Sequence, residues 1–134
     1  ISAEINFPDS LIYDLGFIDE KDMPYIYCLA KIMVYPSLFE GFGIPILESM
    51  KIGCPVVCSN VSSLPEVGGN AAKYINPHDI SDISKKIYSL YKDDKEIHRL
   101  KTLGNNNVKK FKWNLIINQY LKTYKDCVKM SSKN

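Results

Sequence analysis

Short apolar bursts alternate with helix-spaced segments along this chain, and no two bursts are joined by a hairpin signal. Strands linked through helices return in parallel, because a parallel neighbour needs a crossover connection where an antiparallel one needs only a tight turn. The bursts are "LIYDLGF" (11–17), "KIMVYPS" (31–37), "CPVVCS" (54–59) and "AKYIN" (72–76). The third is apolar without alternation, as expected of a strand buried on both faces. Between the bursts, Met23, Ile26, Tyr27 and Ala30 keep helical spacing behind a cap at Asp19, with Pro24 tolerated near the first turn. Pro45 opens a second helix that stops at Gly53, while Pro65, Gly68 and Gly69 read as a loop. Ile80, Ile83, Ile87 and Leu90 define a further helix from Asp79, and Ile97, Leu100 and Val108 the next, which Gly104 and residues 105–107 interrupt or loosen. Trp113, Ile116, Ile117, Tyr120, Leu121 and Tyr124 mark the last helix. The expected fold is α/β, a doubly wound parallel sheet with helices on both faces and C-terminal helices. Residues 1–112 form the domain, and 113–134 an amphipathic helix on or beside it.

With 134 residues one core must serve the chain, and 46% apolar with 24% charged residues is globular composition. The net charge of +2 and the lack of a recognised motif argue against a nucleic-acid partner. Lysines 101, 109, 110, 112, 122, 125 and 129 read mainly as a solvated face, with weak contact to an anionic membrane surface as the lesser alternative. Cys28, Cys54, Cys58 and Cys127 form no C-x-x-C pair, which speaks against zinc and for reduced, buried thiols in a cytoplasmic chain. Neither a membrane-spanning run nor a signal peptide is visible. His78 and His98 are isolated and read as surface residues.

In such sheets ligands bind outside the carboxyl ends of the strands. The segment "FEGFGIPILES" (39–49) lies there, with Gly41 and Gly43 permitting positive φ and close backbone approach ahead of a helix start. That is a place for an anion such as a diphosphate, worth up to about 2 kcal/mol from the helix dipole. Glu40 and Glu48 flank it, and an ionised carboxylate can accept two hydroxyl donors at once. Glu48 could reach a ribose diol and Glu40 the hydroxyls of a sugar. Spacing alone leaves the bland alternative open, a loop acid and an exposed helix acid.

The run E-G-F-G-I-P-I-L-E resembles the E-x7-E signature of retaining nucleotide-sugar glycosyltransferases of family 4, also called group 1. The resemblance continues from "LGFIDEKDMPYIYCLAKIMVYPSLFE" through "GFGIPILESMKIGCPVVCSNVSSLPEVGGNAAKYINPHD", about half the chain. It implies the C-terminal, Rossmann-like donor domain of the two-domain GT-B fold. Carried over residue by residue, Glu40 resembles the glutamate at the transferring sugar and Glu48 the one at the ribose diol. Gly41, Phe42, Gly43 and Ile44 resemble the turn that meets sugar hydroxyls and diphosphate, Leu47 the position packing near the nucleotide, and Phe17 and Ile18 the loop beside the base. Glu66, in "SSLPEVGG", caps or packs. The family transfers with retention, framed as front-face departure of the nucleoside diphosphate. No D-x-D occurs, so no cofactor and no divalent metal are expected. The donor is then a nucleoside-diphosphate sugar and the acceptor a glycan or lipid.

The family's phosphate-clamping R-L-x-x-x-K-G-like segment has no counterpart here, nor has an N-terminal acceptor domain. The chain is therefore expected to act with a missing N-terminal domain or companion chain, to catalyse little alone, and to self-associate through Phe39, Phe42 and Ile44. A non-catalytic nucleotide- or glycan-binding or regulatory module is the rival reading. A two-carboxylate glycosidase and a flavodoxin-like signalling domain fit less well.

Overall fold

The computed structural model describes residues 11–131, in the order α1 (Met23–Leu29), β1 (Met33–Tyr35), α2 (Ile44–Ile52), β2 (Val56–Ser59), α3 (Leu64–Gly68), β3 (Ala72–Ile75), α4 (Ile80–Tyr91), α5 (Asp94–Val108) and α6 (Trp113–Ser131). The three strands form one parallel sheet in the order β1-β2-β3, with Val57 opposite Val34 on one side and Lys73 on the other. All four β2 residues are buried, as the unalternating run requires. Val56 and Cys58 pack with Ile46 and Met50 of α2 and Leu64 and Val67 of α3. Val57, on the opposite face, packs with Ile75, Leu90 of α4 and Ile97 and Leu100 of α5. Helices thus cover both faces of the parallel sheet, as expected of an α/β fold.

Local chemistry explains most boundaries. The Asp79 carboxylate accepts from Asp82 N–H at 3.1 Å to cap α4, and Asp93 accepts from Glu96 N–H at 2.9 Å to cap α5. Gly53 ends α2 in the left-handed region (φ 84), where its N–H returns to Met50 O at 3.1 Å.

Five expectations are corrected. Residues 11–17 form no strand and pair with none among the described residues, and Phe17 is 92% exposed; a strand persists only where a neighbouring ladder takes up its backbone groups. Asp19 is not the α1 cap: its carboxylate meets Lys21 at 3.2 Å, and the helix begins after Asp22. The stretch read as a loop around Pro65 contains α3, with Pro65 in its first turn. Next, α5 runs unbroken through Gly104 and residues 105–107, because tertiary contacts outweigh weak propensity there. A Cβ at Gly104 would lie 3.2 Å from Met50 Cβ, and buried Asn107 donates from Nδ2 to Val67 O at 2.8 Å. Finally, only Cys54 and Cys58 are buried, whereas Cys28 and Cys127 are exposed. Burial pushes the Cys58 thiol up to about 12.

Both histidines are exposed, and α6 leaves Ile117, Tyr120, Leu121 and Tyr124 exposed. Among the described residues no helix is long and apolar enough to cross a membrane.

Candidate functional site

The carboxyl end of β1 feeds residues 36–43, which turn the chain into α2. Gly43 caps that helix at φ 97, and a Cβ there would come within 2.7 Å of Leu64 Cδ2. Both conformation and space therefore demand glycine. Gly41 differs from expectation: its φ is not positive and a Cβ would meet nothing within 4 Å, so nothing in the described chain requires glycine there. Among the described residues no side chain caps α2, which leaves its positive end to backbone. The helix is anchored by buried Ile46 and Met50 and by Ser49 Oγ, which donates to Cys54 O at 3.2 Å.

Glu40 is set from two directions. Tyr35 Oη, at the end of β1, donates to Glu40 Oε1 at 2.6 Å. That hydrogen bond, and after it the nearby Ser37 hydroxyl, which itself donates to Phe39 O at 3.0 Å, hold the Glu40 carboxyl below the usual carboxylate range. Burial first, and then Glu40, pushes the Tyr35 phenol up to about 12. At neutral pH the pair is a neutral phenol donating to an ionised carboxylate, a short charge-assisted bond that leaves Oε2 to accept another donor. The backbone of Glu40 is held by the loop after β2: Ser62 Oγ accepts from its N–H at 3.3 Å and donates to its carbonyl. Ser63 Oγ lies 3.1 Å from the same carbonyl and 3.0 Å from that of Phe42.

Glu48 occupies the exposed side of α2 and meets a different neighbour. Tyr27 Oη of α1 donates to Glu48 Oε2 at 3.5 Å, beside a recess of about 180 Å³ that Glu20 and Lys51 also line. Burial and then Glu48 raise the Tyr27 phenol. The two carboxylates thus sit on one segment with separate supports, Glu40 from β1 and Glu48 from α1. Ile18 is half-buried in the approach to α1 and Phe17 projects into solvent. Phe42, Ile44 and Leu47 line an apolar recess of about 390 Å³ with Phe111, Ile116 and Tyr120. Phe42 and Phe111 meet edge to face, with centroids 5.9 Å apart. Phe39 and Ile44 are exposed. Glu66 is exposed in the first turn of α3, where its charge suits the helix dipole. Among the described residues no three His, Cys, Asp or Glu side chains gather as a metal would need.

Sequence reasoning missed Tyr27, Tyr35, Ser62, Ser63 and Phe111. A tyrosine at the end of a strand and a serine pair ahead of Leu64-Pro65 were visible, but their partners lie 5 to 23 positions away. Nothing in the local pattern linked Phe111 to Phe42.

The chain resembles known proteins over most of its length. A family model described as "Glycosyl transferases group 1" matches residues 11–107. The chain is 44% identical over 111 residues to the O-antigen chain mannosyltransferase B of Escherichia coli, covering 83% of this chain and 29% of that protein. It is 29% identical over 130 residues to the MMP alpha-(1->4)-mannosyltransferase of Mycolicibacterium hassiacum, covering 94% and 31%. Among solved structures, sucrose-phosphate synthase from Thermosynechococcus elongatus superposes with a TM-score of 0.76 at 26% identity, over 87% of this chain and 30% of that one. This chain therefore spans less than a third of the length of each of these three proteins.

Proposed function

This chain belongs to the group 1 glycosyltransferases, and on that footing we propose that it is the donor-binding half of a retaining family 4 enzyme of GT-B architecture. The observation that carries the reading is the continuous segment from Glu40 to Glu48, which sets an ionised carboxylate, an uncapped helix start and a second carboxylate in series at the carboxyl end of β1. The diphosphate lies on the backbone of Gly41, Phe42, Gly43 and Ile44, where the dipole contributes up to about 2 kcal/mol and each hydrogen bond to the charged group about 1.5–3 kcal/mol. Glu48 accepts from the ribose diol and Glu40 from the transferring sugar. Phe17 and Ile18 stand beside the base, and Leu47 packs near the nucleotide. The names of the relatives support mannose as the sugar.

In this reading the protein contributes position and electrostatic support to the departing nucleoside diphosphate, and the helix start stands in for a divalent cation. The acceptor, a glycan or lipid, is held by an N-terminal domain or companion chain, so the whole protein carries the activity. The enzyme works in the cytoplasm, with its lysine-rich C-terminal region near a membrane surface.

Ligand-observed NMR of this chain with GDP-mannose, UDP-glucose and ADP-glucose tests the reading. Saturable binding of one nucleotide class, weakened by Glu48→Ala in a folded protein, is expected. Binding of none of the three by folded wild type would defeat it and shift the weight to an interaction module.

A further inference from the structure

Three side chains from outside the Glu40 to Glu48 segment converge on its first turn. The Ser62 hydroxyl donates to the Glu40 carbonyl, the single Ser63 hydroxyl proton is shared between the Glu40 and Phe42 carbonyls, and Tyr35 donates to the Glu40 carboxylate. A trans peptide holds its N–H opposite its C=O, and no peptide among the described residues is cis. The Glu40 and Phe42 carbonyls share their peptide units with the N–H groups of Gly41 and Gly43. Because both carbonyls point at Ser63, both amides point away from it, and neither donates to another group among the described residues. Free amides just ahead of a helix start are donors from which an anion can accept.

Ser62 adds a second observation. It is the only non-glycine with positive φ (57) among the described residues, a conformation that a Cβ disfavours. The hydroxyl held there both accepts from the Glu40 N–H and donates to the Glu40 carbonyl, so the strained residue sits where it grips the turn.

We propose that Ser62 and Ser63 are positioning residues that aim the Gly41 and Gly43 amides at the diphosphate of a nucleotide sugar, while Tyr35 holds the Glu40 carboxylate toward the sugar. The assignment rests on the donor reading above. Neither serine touches the ligand; each acts through the backbone it holds.

The test titrates wild type, Ser62→Gly, the double variant Ser62→Gly with Ser63→Ala, and Ser63→Thr with the same three nucleotide sugars. Amide spectra and thermal midpoints are recorded alongside. Glycine accepts the backbone of residue 62 without strain, so Ser62→Gly removes the hydroxyl and keeps the conformation. The double variant is expected to bind about tenfold more weakly, the effect of losing roughly one hydrogen bond to a charged group. Its midpoint should hold, and Gly41 and Gly43 amides should lose their ligand-induced shifts. Ser63→Thr should bind like wild type. Wild-type affinity and unchanged Gly41 and Gly43 shifts in Ser62→Gly and the double variant would overturn the assignment while leaving the donor reading intact. Should the double variant unfold, the same result in Ser62→Gly alone decides the question. Absence of binding by wild type would remove both.

Discussion

The two ends of α2 are held by opposite means. At the C-terminal end Met50 is buried between the sheet and α5, with Gly104 admitting the close approach and Asn107 sealing the Val67 carbonyl. At the N-terminal end the turn is held by serine hydroxyls and a tyrosine, with Phe39 and Ile44 left in solvent. One end is apolar and space-filling, so its energy comes from area and shape. The other is polar and half-open, so its energy is modest and its value lies in where groups point. A ligand site needs the second kind of support, and it can be precise only because the first kind fixes the helix axis.

Substitutions at the two ends should separate these roles. Met50→Ala strikes the packed end and should lower unfolding free energy by about 2–5 kcal/mol in a urea titration. If the loss is below 1 kcal/mol, the helix is not anchored there. Gly43→Ala strikes the hinge between the two regimes, where a left-handed φ and the 2.7 Å approach to Leu64 coincide. It should cost about 2 kcal/mol and weaken nucleotide-sugar binding as well, and a stable variant with normal affinity would contradict the geometry. Asn107→Ala leaves the Val67 carbonyl buried and unpaired, at about 1–2 kcal/mol in the same denaturation assay, with affinity for donor unchanged once folding is accounted for. Glu48→Ala should do the reverse. On an exposed helix face it should move stability by less than about 0.5 kcal/mol while reducing binding, and a large stability loss would make Glu48 a structural residue.

The smallest effect concerns protonation. Tyr35 and then Ser37 depress the Glu40 carboxyl below its ordinary 4.5, so the folded state holds the proton less tightly than the unfolded one. Its contribution to stability is therefore complete above the ordinary value and is lost as pH falls through the depressed one. Tyr35→Phe should move the Glu40 carboxyl titration upward in an NMR pH series. An unmoved titration would show that the 2.6 Å bond is not made in solution.

Much of this architecture was legible from local pattern because local chemistry enforces it. Pro45 and Gly53 bracket α2, Asp79 begins α4 and the unalternating run at 54–59 becomes the central strand. Each signal acts within a few residues, through a missing N–H, a positive φ or a side-chain cap. Residues 11–17 and α5 were misread for one reason. A β-branched stretch becomes a strand only beside a ladder, and a glycine with three asparagines stays helical when its neighbours are Met50 and Val67.

The site divides in the same way. The order of Glu40, Gly43, Pro45 and Glu48 already places two acceptors around a helix start, because consecutive residues fix consecutive positions. Which phenol grips Glu40, which grips Glu48, which hydroxyls turn the carbonyls of the turn and which aromatic ring meets Phe42 depend on elements brought together by the sheet and helix packing. Those partners lie up to 69 positions apart, as Phe42 and Phe111 do, and no period in the chain encodes such a meeting. Direction, unlike order, is a property of the folded backbone, so it was settled only when β1, β2 and α2 came to share one core.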